Sequence, residues 1–265
     1  MYDCYRRKIN YLRISVTERC NLRCTYCMPV QGVTLKPHED ILSFEEITEL
    51  VRVAVSLGMN KVRLTGGEPL VRRDIIDLIR RLSAIPGIDD FAMTTNGVLL
   101  SELAFKLRAA GIHRLNISLD TLDPEKFRAI TRIGTLADTL AGIEAACSAG
   151  FSRIKLNCVI SSSPEEPDAK AVSEFGRKKN MEVRFIRKMT PSTGEFWKVL
   201  GGDGGNCASC NRLRVSSDGH IFPCLFSDLK YSVRQMGPMG ALLAAVEAKP
   251  EAGHISNNKF YMIGG

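Results

Sequence analysis

Three cysteines stand within the run Cys20-Asn21-Leu22-Arg23-Cys24-Thr25-Tyr26-Cys27, the densest grouping of metal-binding side chains in the 265-residue chain. A cubane iron–sulfur cluster takes a thiolate at each iron, so a C-x3-C-x2-C run holds three irons and leaves the fourth open to another molecule. Structural zinc needs four ligands, and neither His nor Cys stands nearby to supply the fourth. A disulfide framework fits worse, because three is odd and nothing marks the chain as secreted. The run therefore points to an iron–sulfur centre with one open iron.

A second set, Cys207-Ala208-Ser209-Cys210 followed after thirteen residues by Cys224, raises the same question. A zinc ribbon completed by His220 and a second iron–sulfur centre fit this spacing about equally well. Between these cysteines Arg212 and Arg214 fall on one face of an extended chain, and guanidinium forks match phosphate oxygens. Cys147, within a helical pattern, and Cys158 read as buried apolar residues. Cys4 carries no assignment, and His38, His113 and His254 belong to no constellation.

Positioning these groups requires a scaffold, and the chain carries one pattern three times: Gly58-Met59-Asn60-Lys61-Val62-Arg63-Leu64-Thr65, Gly111-Ile112-His113-Arg114-Leu115-Asn116-Ile117-Ser118, and Gly150-Phe151-Ser152-Arg153-Ile154-Lys155-Leu156-Asn157. Each is a glycine that ends an amphipathic helix and leads into an alternating strand. Together with strand candidates at 12–16, 90–95 and 182–188 they predict repeated βα units on a parallel sheet of six strands. Ser43 and Glu46 form a capping box that starts a helix with Ile47, Leu50, Val51 and Val55 on its buried face. Two helices are expected between Asp123 and Gly150, and another ending near Asn180.

Parallel strands are usually apolar on both faces, so the alternating polar residues need a cavity to face. Period two puts Lys61, Arg63 and Thr65, then Arg114, Asn116 and Ser118, then Arg153, Lys155 and Asn157 on matching faces, with Arg13, Ser15 and Arg184 extending the lining. A barrel with a basic interior follows, and its chemistry belongs at the C-terminal ends of the strands. Cys20 to Cys27 follows the first strand there, and Gly66-Gly67-Glu68-Pro69 follows the second. In that turn glycines allow close backbone approach, while carbonyls and a carboxylate can accept from an ammonium group.

The cysteine run after a first strand, with Tyr26 before the last cysteine, resembles the signature of radical S-adenosylmethionine (SAM) enzymes. With its surroundings, Arg13-Ile14-Ser15-Val16-Thr17-Glu18-Arg19 and Met28-Pro29, it is similar to the GTP 3',8-cyclase (MoaA) family of molybdenum cofactor biosynthesis. So are Cys207 to Phe226 and the terminal Met262-Ile263-Gly264-Gly265, which looks like that family's double-glycine tail. The resemblance implies an incomplete (β/α)6 radical SAM barrel over 1–189 and a small cluster-binding extension over 190–265, both α/β in class.

It further implies one [4Fe-4S] cluster on Cys20, Cys24 and Cys27, and a second on Cys207, Cys210 and Cys224 whose open iron receives guanine. SAM would lie against Tyr26, Gly67, Ser118 and Met189, and GTP against Arg13, Arg63, Thr94, Lys155, Arg212 and Arg214, with Lys61 and Arg184 as weaker candidates. The implied reaction is radical: an electron from the first cluster splits SAM, the 5'-deoxyadenosyl radical takes the 3' hydrogen of GTP, and the new carbon radical attacks C8. A flavodoxin- or ferredoxin-type electron donor, a downstream pterin-forming enzyme and a homodimer complete the expected partners.

Thirty-six Lys and Arg against 29 Asp and Glu give a net charge of +7. The basic lining assigns that excess to a triphosphate, with no nucleic acid required. A mean hydropathy of −0.04 and the absence of a long apolar run or signal region predict a cytoplasmic protein with no membrane association. One departure from the family stands out: the glycine-rich segment around Trp197, 190–206, is much shorter than usual. It leaves three alternatives to GTP cyclisation, namely a shortened paralogue acting on another nucleotide, a peptide-modifying radical SAM enzyme with an auxiliary cluster, and a nucleotide-binding sensor without catalysis.

Overall fold

The computed structural model describes residues 1–34 and 36–264. In chain order it contains β1 (Tyr11–Ser15), α1 (Phe44–Ser56), β2 (Lys61–Thr65), α2 (Ile75–Ser83), β3 (Asp90–Thr95), α3 (Leu100–Ala109), β4 (Arg114–Ser118), α4 (Pro124–Thr131), α5 (Leu136–Ser148), β5 (Ile154–Ile160), α6 (Pro167–Lys178) and β6 (Glu182–Arg187). Then follow β7 (Arg212–Val215), β8 (His220–Phe222), β9 (Tyr231–Ser232), α7 (Val233–Glu247) and the short α8 (Phe260–Ile263). The expected capping box is present: Glu46 N–H donates to Ser43 Oγ at 3.1 Å, and Ser43 N–H to the Glu46 carboxylate at 2.7 Å. Gly58, Gly111 and Gly150 each turn the chain out of a helix at φ of 87°, 108° and 79°, which a side chain would resist.

The nine strands form one open sheet in the order β6-β5-β4-β3-β2-β1-β7-β8-β9. β1 to β6 are parallel neighbours joined by helices, the six repeated units read from the sequence. The C-terminal region adds to the free side of β1: β7 pairs with it in parallel, Tyr11 opposite Arg212 and Arg13 opposite Arg214, and β8 and β9 continue antiparallel.

Alternation decides the layers. Leu12, Ile14, Val62, Leu64, Leu115, Ile117 and Leu156 point under the helices and are buried with Leu50, Leu78, Ile79 and Leu107 in one hydrophobic core. Their neighbours along each strand are the polar residues of the concave face. Cys158 packs in the same core, as its apolar reading requires, and Cys147 is partly buried against it.

The short segment 190–206 runs along the outer edge of β6, where Phe185 and Leu200 exchange backbone hydrogen bonds of 3.0 and 3.1 Å. It folds back on itself, Val199 N–H donating to Gly204 O at 2.9 Å. A Cβ on Gly205, at φ 71°, would stand 1.8 Å from Trp197 O, so this turn admits glycine alone. The Arg187 guanidinium lies 3.7 Å from the centre of the Trp197 ring and ties the segment to the end of β6.

Candidate functional site

The concave face of the sheet encloses a cavity of about 840 Å³ that both cysteine sets line. Cys20, Cys24 and Cys27 lie beyond the C-terminal end of β1. Cys207 and Cys210 lie just before β7, whose first residue pairs with the first residue of β1. The two sets therefore flank opposite ends of β1, which at roughly 3.3 Å per residue spans about 16 Å.

The first cysteine loop is held from two sides. Gly67 N–H donates to Thr17 O at 2.8 Å and Glu68 N–H to Arg19 O at 2.8 Å, so the turn after β2 backs onto the segment entering the loop. From the other side Arg23 N–H and Thr25 N–H donate to Thr131 O and Ile130 O at the end of α4, and Arg132 donates to the carbonyls of Arg23 and Met28. Asn96 bridges to Asn21 Oδ1 at 2.7 Å. Burial pushes the Cys20 thiol up to about 11 and those of Cys24 and Cys27 up to about 12. Cys24 feels both other thiols, and Leu22 N–H already donates to Cys20 Sγ at 3.3 Å.

Three half-buried thiols on one tight loop, with a main-chain donor to sulfur and lining the cavity, suit a cubane with one free iron. Among the described residues no three His, Cys, Asp or Glu side chains are gathered as the ligands of a single metal ion. The second set shares the character: Phe226 N–H donates to Cys224 Sγ at 3.4 Å, and Cys224 feels the neighbouring Cys210.

Between the two sets the lining is cationic. Arg13 sits opposite Arg63 on one side and Arg214 on the other, at the middle of the cavity. Burial, then the Arg214 guanidinium, pull Arg13 down to about 9; burial does the same to Arg63, also to about 9, and to Arg214, to about 10. Guanidiniums this close each disfavour the other's charged form. Within the described residues Arg63 Nε, Arg212 Nε, Thr94 Oγ1 and the Tyr11 hydroxyl are buried without a hydrogen-bond partner, all facing this space. Orphaned buried donors are costly, and an anion carrying many acceptor oxygens would satisfy them together.

The remaining expected residues divide. Tyr26, Gly67, Ser118 and Met189 line the upper cavity, and Lys61, Lys155 and Arg184 its wall. Lys155 and Arg184 are engaged with Glu182, however, and Arg114 is paired with Asp90 at 2.5 Å. Arg214 donates to the carbonyls of Ile263 and Gly264, so the chain end reaches the cavity wall; Gly265 lies outside the described residues. The Glu68 carboxylate does not wait for an ammonium as its sequence position suggested. It turns into the protein and accepts from Thr95 Oγ1 at 2.8 Å, Asn96 N–H at 2.7 Å and Leu70 N–H at 3.1 Å.

Two residues that the sequence did not single out belong to the site. Tyr11 begins β1 and carries Arg63 and Arg212 at 5.4 and 5.6 Å from its ring centre. An aromatic residue at a strand start reads as core, although period two from Arg13 would have placed it inside. Asp120, just past β4, accepts from the Tyr26 hydroxyl at 2.6 Å and from Val159 N–H at 2.8 Å, and so fixes the Tyr26 ring beside Cys24 and Cys27.

Comparison with known proteins follows this geometry. The family model described as "Radical SAM superfamily" matches residues 14–168. A GTP 3',8-cyclase of Moorella thermoacetica is 39% identical over 310 residues, covering 97% of this chain and 96% of the relative. This chain belongs to the GTP 3',8-cyclase family of radical SAM proteins. The family match extends to Petrotoga mobilis, whose GTP 3',8-cyclase is 40% identical over 279 residues with 88% of this chain and 86% of the relative covered. The Moorella alignment runs over 310 residues against a chain of 265, so family relatives carry additional internal residues, in keeping with a shortened segment here. Among solved structures, Streptococcus suis SuiB bound to its precursor peptide SuiA superposes with a TM-score of 0.70 at 14% identity, covering 92% of this chain and 66% of that one. At that identity the likeness shows the shared radical SAM fold. No helix among the described residues is long and apolar enough to cross a membrane.

Proposed function

We propose that this chain converts GTP to (8S)-3',8-cyclo-7,8-dihydroguanosine 5'-triphosphate, the first step of molybdopterin biosynthesis. One observation carries the reading: a single cavity joins the two cysteine sets, and its wall between them is a band of arginines in which Arg63 Nε and Arg212 Nε, with Thr94 Oγ1 beside them, are buried without a hydrogen-bond partner among the described residues. A nucleoside triphosphate has the length and the charge to occupy it. Cys20, Cys24 and Cys27 would hold the first [4Fe-4S] cluster, and Cys207, Cys210 and Cys224 the second. The first cluster, when bound, supplies the electron that splits SAM and so generates the radical.

The rest is binding and orientation by the chain. Arg13, Arg63, Arg212 and Arg214 grip phosphate oxygens, Thr94 donates its orphaned hydroxyl, and Lys155, which shares Glu182 with Arg184, adds its charge. With Glu68 committed to Thr95 and Asn96, main-chain carbonyls of the Gly66-Gly67 turn are left to accept the SAM ammonium. Asp120 keeps Tyr26 against the cysteine loop, while Ser118 and Met189 border the nucleoside of SAM. The short 190–206 segment walls the side of the cavity along β6, keeping water from a reactive carbon. A small one-electron donor such as a flavodoxin or ferredoxin, and an enzyme that turns the cyclised nucleotide into a pterin, would act before and after it.

The test is anaerobic reconstitution followed by incubation with SAM, a reductant and GTP, with mass detection of a product isomeric with GTP. About eight irons per chain and formation of that isomer are expected. About four irons with one zinc would remove the second cluster, and SAM cleavage without a cyclised nucleotide would redirect the reading to another substrate.

A further inference from the structure

Two buried cations stand behind the second cysteine set, and the chemistry above uses neither. Lys249 follows α7 and is 2% exposed. Its ammonium donates to Arg212 O at 2.9 Å and Pro223 O at 2.5 Å, carbonyls two residues after Cys210 and one residue before Cys224. An ammonium has three protons, so one remains. Within the described residues no carboxylate pairs with it, and its other neighbours in charge are the thiols of Cys210 and Cys224.

Arg7 fixes the segment that carries this lysine. Paired with Asp3 at 2.6 Å, it donates to Cys207 O at 2.9 Å, Pro250 O at 2.7 Å and Glu251 O at 2.9 Å. Residues 249–251 are thereby clamped to the turn that bears two of the cysteines. Burying an ammonium without an anion is unfavourable, and thiolates on a metal centre are the anions the site offers.

We propose that Lys249 is a positioning residue that sets the reduction potential of the second metal centre, its charge and remaining N–H at Cys210 favouring the reduced, more negative state. The inference rests on reading Cys207, Cys210 and Cys224 as an iron–sulfur site. Cluster potentials respond to net charge and to hydrogen bonds at the sulfurs, and Lys249 supplies both from a buried position where water does not screen it.

The test uses the full chain with Cys20, Cys24 and Cys27 replaced by Ala, so that the second cluster alone gives a signal. Iron and zinc are counted, and the midpoint is measured by redox titration followed by electron paramagnetic resonance. Lys249→Gln, which keeps N–H donors for the carbonyls but loses the charge, is expected to shift the equilibrium at least tenfold toward the oxidised form, 59 mV for one electron. Lys249→Arg should stay within threefold of the parent. A Lys249→Gln midpoint equal to the parent's, with equal iron, overturns the proposal. Should Lys249→Gln hold no iron, retention of the cluster by Lys249→Arg supports it and loss from both variants overturns it. A parent that takes zinc and no iron refutes the iron–sulfur reading itself, and the proposal with it.

Discussion

Gly67→Ala isolates the contact on which the first metal loop depends. A Cβ on Gly67 would lie 2.4 Å from Arg19 O, 2.6 Å from Glu18 O and 2.8 Å from Arg19 C, all main-chain atoms with no rotamer to yield. The turn after β2 and the segment before Cys20 must separate by several tenths of an ångström, which strains the bonds from Gly67 N–H to Thr17 O and from Glu68 N–H to Arg19 O. Overpacking costs about 1–3 kcal/mol, and each weakened hydrogen bond about 1 kcal/mol or less. A loss of about 3 kcal/mol in urea-induced unfolding of the apoprotein is expected, together with at least tenfold weaker SAM binding after reconstitution. Gly240→Ala in α7, whose Cβ would meet only Met236 Cβ at 3.6 Å, serves as the control and should be neutral or slightly stabilising. Equal midpoints for Gly67→Ala and parent would refute the close-approach argument.

Other expectations concern charge. Arg212→Ala and Arg214→Ala should each weaken GTP binding at least tenfold while leaving reductive SAM cleavage intact; equilibrium binding at fixed salt checks the first and detection of 5'-deoxyadenosine the second. Tyr26→Phe removes a donor from the half-buried Asp120 carboxylate and should cost about 1–2 kcal/mol of stability, measured by denaturation. Burial raises Glu68 from 4.5 to about 7, against bonds from Asn96, Thr95 and Leu70 that lower it. The native state then binds this proton more tightly than the unfolded chain, so its contribution is full below about pH 4.5 and is lost as pH rises through about 7. Relative to Glu68→Gln, the parent should lose up to about 3 kcal/mol of unfolding free energy between pH 5 and pH 8; a pH-independent difference would contradict the burial of a carboxylate there.

What could be read from the sequence was what depends on neighbours along the chain. Helix starts, the glycines at helix ends and the polar face of each strand follow from local geometry, and the concave lining appears where period two put it. Lys61, Arg63, Lys155 and Arg184 follow from that period without knowing which strands touch, whereas Thr94 came only with the family resemblance. Contacts between distant segments had no such signal. Nothing in Arg212-Leu213-Arg214-Val215 shows that it pairs with β1, and nothing near Arg7 or Lys249 shows that both reach the second cysteine set. Glu68 illustrates a subtler limit: a carboxylate beside a ligand turn was read as facing the ligand, but its partners on β3 and the loop after it turn it inward. Tyr11 falls just outside the strand expected at 12–16, and an aromatic ring there suits a core as well as a cavity.

The pairing of β7 with β1 also bears on when the cavity comes into being. Asn10 and Asn211, whose side chains bond at the start of that pairing, are 201 residues apart. During synthesis from the N-terminus, β1 to β6 and the first cysteine loop can form while the side of β1 that takes β7 is still bare. The last wall arrives bringing two more arginines and the second cysteine set together. Full crowding of like charge around Arg13 is thus postponed to the final docking step.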